Sequence, residues 1–326
     1  MNNKLIYVVA IVAIVLVVSA SFIYINNSKS TSQSKTSTSI SIVDDEGYQT
    51  ILTSIPTRIV SLAPSCTEIA FDIGVGDKVV GVTSVDDAPY NFSAWIAAGN
   101  ITNTGEYGSP NMETIASLHP GLILTDDLND ANLPTLRSMG YNVIVLNPTN
   151  IAGICQDISI VGRATGAENN ATALIKTINN EVTSVQTKID AANLTKPTVY
   201  YEVWYDPSYL MSAGAGSFIN DAISKAGGIN IFGNLTSAYP STSSETIVQL
   251  NPEVIILPSG SSGMAAEYGS VAQVEARPGW STISAVQNNR VYVLNQDLFS
   301  RPGPRIGELV QAIATALYPQ LFNSTS

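Results

Sequence analysis

The sequence predicts two α/β lobes that are joined by one long helix. Apolar runs of strand length alternate with helical segments over residues 58–147, and the same alternation starts again at residue 197. Between these stretches, residues 170–193 repeat apolar side chains every three or four positions without a glycine or proline. The chain has 326 residues, of which 45% are hydrophobic, so it is long enough to bury two medium-sized cores.

The sequence of the first lobe predicts a parallel sheet. The stretch TSISIVDDEGYQTIL at residues 38–52 predicts two short strands around the turn Asp45-Glu46-Gly47. Strands are then predicted at RIVSLAP, KVVGVT, GLILT and NVIVLN, and helices at SCTEIAFDIGVG, METIASL and LPTLRSMG. Because strands and helices alternate, we expect parallel strands with helices on both faces.

A single helix is predicted between the lobes at residues 170–193. Its apolar stripe consists of Ala173, Leu174, Ile178, Val182, Val185 and Ile189. A helix of this length spans roughly 36 Å and is not a flexible hinge, so we expect only small movements of one lobe against the other.

The second lobe repeats the pattern of the first. Strands are predicted at PTVYYEVW, VIIL and RVYVLN, and helices at SFINDAISKAGG, ETIVQL and RIGELVQAIATALYP. We therefore divide the body of the chain into an N-terminal lobe, a bridging helix and a C-terminal lobe, at residues 39–168, 169–194 and 195–326.

The amino terminus is an uncharged apolar run at residues 5–25, which at helical rise spans roughly 30 Å, about one hydrocarbon core. Residues 1–25 are either an uncleaved transmembrane anchor or a signal peptide that is cut after Ser19-Ala20-Ser21. We favour the anchor because the run continues beyond the usual signal length. Residues 26–38 then form a Ser/Thr-rich tether. No cysteine follows the run closely, which excludes bacterial-type lipidation.

The polar part of the sequence predicts an extracellular glycoprotein. Seven Asn-x-Ser/Thr triplets are potential N-glycosylation acceptors, and they begin at Asn26, Asn91, Asn100, Asn170, Asn193, Asn234 and Asn323. Each triplet is weak evidence alone, but together with the anchor they place the folded part outside the cell. Cys66 and Cys155 could form a disulfide there, and the sequence leaves open whether they pair.

Composition argues against several functions. Charged residues make up 13% and the formal net charge is −11, whereas nucleic-acid binding needs a basic patch. One histidine and two cysteines are too few for an all-protein transition-metal site. We expect that histidine, His119, on the surface near a helix C-terminus.

An enzyme is disfavoured by the absence of its usual motifs. Gly214-x-Gly216 lacks the third glycine of a dinucleotide loop, and the sequence contains no Walker lysine pattern. No G-x-S-x-G motif surrounds Ser65. A purely adhesive surface protein remains an alternative.

One segment occurs twice in the chain. ETIASLHPGLIL begins at Glu113, and ETIVQLNPEVII begins at Glu245. Tyr107 and Tyr239 each lie six residues before the corresponding glutamate. If the lobes are related by pseudo-symmetry, the tyrosines line a cleft between them and the glutamates stand on its rim.

Helix capping is a simpler interpretation of both glutamates. Pro110 suits the first turn of a helix, and Thr242 with Glu245 fits a capping box. A carboxylate in such a position contributes about 0.3–1 kcal/mol. The same order of aromatic residue, polar turn and carboxylate in both lobes favours the cleft interpretation instead.

These motifs resemble a known family. RIVSLAPSCTEIAFDIGVGDKVVGVT, SPNMETIASLHPGLIL, AGGINIF, SETIVQLNPEVIIL and RPGPRIGELVQAIATALYP follow one another as in the cobalamin and iron-siderophore substrate-binding proteins of ABC importers. The resemblance covers about residues 39–322, and RPGPR at residues 301–305 is most similar to the cobalamin-binding branch. It implies two Rossmann-like lobes bridged by one helix, with a ligand held in the cleft between them.

The resemblance also implies roles for individual residues. Glu113 and Glu245 match the glutamates, one on each lobe, that dock onto arginines of the dimeric membrane permease. Tyr107 and Tyr239 occupy positions where cobalamin-binding relatives carry tryptophans beside the corrin ring. Further cleft candidates, for each of which core packing or loop capping is the alternative, are Trp204, Tyr205, Phe299 and Arg301, with Asp86 and Asp87 as weaker ones.

The implied function is capture of a ligand for import. The ligand expected from the resemblance is cobalamin or a related corrinoid, and the alternative is a ferric siderophore or haem. Siderophores are usually anionic, and a chain with only 15 lysines and arginines offers few cationic partners for them. The resemblance implies no catalytic residue, no cofactor and no resident metal.

Overall fold

The computed structural model describes residues 39–87, 90–206, 208–259 and 270–322. Residues 39–326 group into one compact unit. The expected anchor, the tether and the glycosylation acceptors Asn26 and Asn323 lie outside the described residues. Within the described ranges, none of the helices combines the length and apolar character needed to cross a bilayer.

The N-terminal lobe is an α/β unit with a hairpin in front of it, and a long helix follows it. From the hairpin to the long helix, the elements in chain order are β1 (Ile40–Val43), β2 (Gln49–Leu52), β3 (Ile59–Ser61), α1 (Pro64–Asp72), β4 (Val79–Val82), α2 (Phe92–Ala97), β5 (Thr102–Asn103), β6 (Gly105–Glu106), β7 (Ser109–Pro110), α3 (Met112–Leu118), β8 (Leu122–Thr125), α4 (Leu133–Ser138), β9 (Val143–Val145), α5 (Ile151–Thr165) and the bridging helix α6 (Glu168–Ala192). Two 3-10 helices, Gly76–Lys78 and Asp127–Asn132, complete the lobe.

The sheet of this lobe is parallel, as the alternation predicted. Its strand order is β5-β4-β3-β8-β9. Every residue of β3, β8 and β9 is buried, as is typical of parallel strands covered by helices on both faces. The chain leaves β3 toward one edge and returns at β8 on its other side, so a crevice opens at the carboxyl ends of these two strands.

Two long helices follow the first sheet. The sequence analysis did not identify α5, which ends at Gly166 in the left-handed conformation. The next helix, α6, has 25 residues and ends at Asn193, within two residues of the expected bounds. Its buried stripe consists of Ala171, Ile178, Val182, Val185 and Ile189.

The C-terminal lobe is a second α/β unit. It contains β10 (Thr198–Asp206), β11 (Tyr209–Ser212), α7 (Phe218–Lys225), β12 (Ile229–Asn230), β13 (Ser241–Thr242), α8 (Ser244–Leu250), β14 (Val254–Ser259), α9 (Val271–Glu275), α10 (Ser284–Gln287), β15 (Val291–Asn295), α11 (Gln296–Ser300), α12 (Ile306–Leu317) and α13 (Pro319–Phe322). A 3-10 helix, Trp280–Thr282, precedes α10.

The sheet of the C-terminal lobe is mixed, a feature that the alternation of strands and helices did not indicate. β12, β14 and β15 are parallel to their neighbours, but β10 continues into an antiparallel hairpin with β11, and β11 pairs with β13. The hairpin turn is stabilised by Asp206, whose side chain accepts a hydrogen bond from the backbone N–H of Ser208 at 2.9 Å. This extension adds residues 202–212 to the end of the lobe where β10 and β14 finish.

Candidate functional site

A cleft of about 500 Å³ lies between the carboxyl ends of the two sheets. Its walls come from both lobes, as expected at the points where strand order reverses. The N-terminal lobe contributes Pro64, Ser65, Ser84, Val85, Asp87 and Tyr107, and the C-terminal lobe contributes Ser259, Asn295, Gln296, Asp297, Ser300 and Arg301.

A buried ion cluster joins the lobes beside this cleft. Glu68 of α1 is 1% exposed, and its carboxylate accepts two hydrogen bonds from Arg305, at 3.0 Å from Nε and 2.7 Å from Nη2. Arg301 approaches the same carboxylate at 3.3 Å. Burial raises the pKa of Glu68, and the hydrogen bonds and charges of the two arginines oppose that rise. Two N–H groups of the Arg305 guanidinium meet the two carboxylate oxygens of Glu68. This contact therefore fixes both the distance and the orientation of Arg305 relative to α1.

Arg301 is engaged by several carboxylates at once. Its guanidinium lies 2.7 Å from Asp87 and 3.2 Å from Asp297, in addition to Glu68. Its side chain is 8% exposed. The structure therefore places Arg301 in the cleft wall, where its donors already serve contacts between the lobes.

Tyr107 also lines the cleft, half-buried in a loop of the N-terminal lobe. Its hydroxyl donates a short hydrogen bond to Asp126, which directly follows β8. Burial raises the pKa of Asp126 to about 6, although the hydrogen bond from Tyr107 lowers it. The tyrosine is thus held in place by a carboxylate at the end of a central strand.

Tyr239 belongs to the other lobe and is 42% exposed. Partial burial and the negative charge of Asp127, which follows Asp126 in the N-terminal lobe, raise the pKa of Tyr239. Burial and the nearby Tyr239 likewise raise the pKa of Tyr201 on β10. Tyr239 therefore interacts electrostatically with Asp127 of the N-terminal lobe and with Tyr201 of its own lobe.

The three other aromatic candidates have different environments. Trp204 is 39% exposed near the end of β10. Phe299 is 3% exposed and stacks on Tyr201 with ring centroids 4.3 Å apart, so it is a packing residue beneath the cleft rather than part of its surface. The ring of Tyr205 packs against Arg277, whose guanidinium carbon lies 3.4 Å from the ring centroid.

The two repeated glutamates occupy matched positions. Glu113 and Glu245 are exposed, and each is the second residue of a seven-residue helix. The helices also end alike, at His119 and Asn251 in the left-handed conformation. The exposed position of His119 at a helix C-terminus confirms the expectation for that residue.

The expected caps of these helices are wrong in detail. The N-caps are Asn111, which accepts from the backbone N–H of Thr114, and Ser243, which accepts from that of Thr246. Pro110 lies before the cap in β7, and Thr242 lies in β13. Other side chains cap both helices, while Glu113 and Glu245 remain first-turn carboxylates, and hydrogen bonds from the backbone N–H of Glu245 and the side chain of Ser243 lower the pKa of Glu245.

The cysteines and the glycosylation triplets lie apart from the cleft lining. Cys66 and Cys155 are separate thiols, and burial raises the pKa of both. Asn91, Asn100, Asn170, Asn193 and Asn234 are all exposed. The side-chain nitrogen of Asn170 donates to the carbonyl of Ile73 at 2.9 Å, so Asn170 is the least available of the five potential glycosylation sites.

The sequence analysis missed several members of the site. Glu68, Arg305, Asp126 and Asp297 were not singled out, although Arg305 stands in the quoted RPGPR. A carboxylate within the otherwise apolar helix sequence SCTEIAFDIGVG was an available signal, because a buried charge needs a partner.

A model of the periplasmic binding protein family matches residues 59–298 of the chain. The chain belongs to this family. It is 32% identical over 288 residues to an uncharacterised ABC transporter substrate-binding lipoprotein of Bacillus subtilis (strain 168), a match that covers 86% of each chain.

Two further similarities involve proteins with named ligands. A cobalamin-binding protein of Halobacterium salinarum is 28% identical over 274 residues, which cover 82% of this chain and 71% of the relative. The periplasmic haem-binding protein of Roseiflexus sp. RS-1, in its apo form, superposes with a TM-score of 0.69 at 25% identity, covering 80% of this chain and 98% of that one.

Membership of the periplasmic binding protein family confirms the resemblance seen in the sequence and the expected fold of two α/β lobes. The family consists of substrate-binding transport proteins. Within that fold, the Glu68 cluster is a direct side-chain link between the lobes of this periplasmic binding protein, and it lies beside the cleft.

Replacing Glu68 tests this link. In Glu68→Ala the two arginines lose a shared buried partner, so we expect the free energy of unfolding to fall by about 3–5 kcal/mol in urea titrations. Glu46→Ala is the control, because its carboxylate meets Arg137 at 3.3 Å with 32% of the side chain exposed, and such a pair contributes about 0–1 kcal/mol. Equal, small losses in both variants would contradict the assignment.

Proposed function

We propose that this protein captures cobalamin or a related corrinoid outside the cell and delivers it to the permease of an ABC importer. The main support is the cleft between the lobes, which Tyr107 lines, together with the exposed aromatic side chains of Tyr239 and Trp204 on the other lobe, outside that lining. Family membership and the similarity to a cobalamin-binding protein agree with this proposal.

The aromatic side chains suit a large, flat ligand. Tyr107 lines the cleft from one lobe, and Tyr239 and Trp204 keep about two fifths of their surfaces exposed on the other. A corrin is a broad apolar ring with an amide rim, and such ligands are recognised by aromatic faces together with a few polar groups. Ser65, Asn295 and Gln296 supply uncharged polar groups in the same cleft.

The charges of the cleft favour a neutral or cationic ligand. Asp87 and Asp297 line it, and Asp126 and Asp127 stand beside Tyr107 and Tyr239. The cation in the lining is Arg301, whose guanidinium is shared among three carboxylates. An anionic siderophore or the propionates of haem would have to compete for it, so these ligands are the second candidates, supported by the fold shared with a haem-binding protein.

We propose Glu113 and Glu245 as the contacts to the permease. Both carboxylates are exposed at the same position of equivalent helices, one in each lobe. A pair of matched charges suits a two-fold symmetric partner with complementary arginines, where charges set orientation and register. An adhesive protein would not require this pairing.

We propose attachment to the membrane through residues 5–25. The Bacillus subtilis relative is named a lipoprotein. In this chain the first cysteine is Cys66, which is fully buried in α1, so a lipid-modified cysteine is not available as the anchor. The apolar run and the tether supply the attachment instead, and the exposed acceptors on the body are the proposed glycosylation sites.

Ligand titration tests the proposed function. The body of the protein, residues 39–326, should bind cyanocobalamin, and Tyr239→Ala and Trp204→Ala should each weaken binding by roughly fivefold or more because an aromatic contact is lost. The measurement is titration calorimetry, with Tyr48→Ala as the control because Tyr48 is similarly exposed, at 46%, and lies against Arg137 in the N-terminal lobe, away from the cleft lining. Binding of haemin or a ferric siderophore in place of cyanocobalamin would select the second candidate.

Uptake in intact cells tests the docking residues. Glu113→Ala with Glu245→Ala should leave cyanocobalamin affinity unchanged and lower uptake at least tenfold, because both lobes lose their contact to the permease. Glu168→Ala is the matched control, since Glu168 is an exposed first-turn glutamate of α6 outside the repeated segments. Normal uptake in the double variant would contradict the docking role, and the two glutamates would then have only a local role at the starts of their helices.

Protease treatment of intact cells tests the location. An anchored extracellular body should be released from the surface by cleavage in the tether, because a Ser/Thr-rich segment exposes its backbone. Recovery of the uncut chain only after cell lysis would contradict an extracellular location.

A further inference from the structure

The end of β10 contains an irregularity that determines where Trp204 points. Glu202 pairs with Ser212 and Trp204 pairs with Met211, so Val203 is an extra residue in the strand. Such a bulge turns the following side chain to the other face of the sheet. Tyr205, which pairs with Leu210, packs into the core that contains Tyr200 and Trp280.

The bulge therefore separates two neighbouring aromatic residues. Val203 and Tyr201 pack on the face that carries Phe299, whereas Tyr205 belongs to the opposite face. Trp204 shares its row with Met211, and Met211 pairs in turn with Ser241, two residues after Tyr239. Trp204 thus stands on the same face as Met211 and Ser241, and Tyr239, which lies before β13, is near Tyr201 of β10.

One buried arginine holds the residues on both sides of this bulge. Arg277 donates to both carboxylate oxygens of Glu202, at 2.5 and 2.9 Å, and its side chain is 4% exposed. The same guanidinium stacks on Tyr205 at 3.4 Å and contacts the ring of Trp280 at 4.5 Å. Glu202 also accepts a hydrogen bond from the hydroxyl of Tyr200 at 3.2 Å.

We infer that Arg277 is a positioning residue for ligand binding, which clamps Glu202 and Tyr205 so that the bulge holds Trp204 on the face that carries Tyr201 and Phe299. This inference rests on the proposed ligand role of Trp204. A planar guanidinium can serve a carboxylate through its edge and an aromatic ring through its face at once, which a lysine cannot do. Fixing Glu202 and Tyr205 restricts the orientation of the two residues between them, Val203 and Trp204.

The test removes the clamp without leaving a buried charge. In Glu202→Gln with Arg277→Met both charges are lost and the glutamine still accepts from Tyr200, so the fold should survive. The full-length protein in detergent is labelled with 5-fluorotryptophan, and the resonance of Trp204 is assigned from a Trp204→Phe variant. We expect that resonance to shift and broaden in the double variant, and cyanocobalamin affinity to fall on the order of tenfold.

A mutant cycle separates positioning from general damage. In a Trp204→Ala background, the same two changes should alter affinity less than about twofold, because the residue that they position is already gone. Arg290→Met is the matched control, an arginine of the same lobe that donates to the carbonyl of Leu317 at 2.7 Å, and it should leave the Trp204 resonance unchanged. Arg277→Lys should behave like the double variant.

The possible results distinguish failure of the positioning role of Arg277 from failure of the proposed function. An unchanged Trp204 resonance, or equal losses of affinity with and without Trp204, would overturn the role of Arg277. If the wild-type protein does not bind cyanocobalamin, the proposed ligand is wrong, while the fluorine spectrum of the ligand-free protein still decides whether Arg277 positions Trp204.

Discussion

One buried carboxylate, Glu68, joins the two lobes beside the cleft. It belongs to α1, which follows the central strand of the first sheet, and it is bound by Arg305 and Arg301 from the other lobe. Removing water from these charges is costly, and the cost is offset only when every partner stays in place. Any opening of the cleft at this point would separate the carboxylate from its arginines. The width of the cleft is therefore tied to a contact that has few alternative geometries.

The helix α6 and the Glu68 cluster restrict the same motion in different ways. The helix fixes the length of the connection between the lobes, and the cluster fixes the approach of Arg301 and Arg305 to α1. With both in place, we expect the ends of β3 and β8 to stay opposite those of β14 and β15 before any ligand arrives. A cleft formed in advance binds without the free-energy cost of a large closure. We also expect it to keep the helices of Glu113 and Glu245, the proposed contacts to the permease, at a constant separation.

Local patterns in the sequence were sufficient for much of the fold. The parallel strands of the first lobe appear as continuous apolar runs, and the stripe of α6 gave its bounds within two residues. The antiparallel hairpin at the end of β10 was missed, because the sequence of one strand does not reveal the strand with which it pairs or in which register. Glu68 and Arg305 are 237 residues apart, so their contact has no local signal. Tyr107 was found in the cleft lining because a repeated segment pointed to it, while Phe299 could not be told from a core residue.

We infer that the cleft is formed before the ligand binds. Small-angle X-ray scattering of residues 39–326, with and without saturating cyanocobalamin, tests it most directly. The account predicts two profiles that superimpose, with the same radius of gyration within error, because α6 and the Glu68 cluster hold the lobes in one arrangement. A clear compaction on addition of the ligand would show that the lobes close around it and would contradict the account.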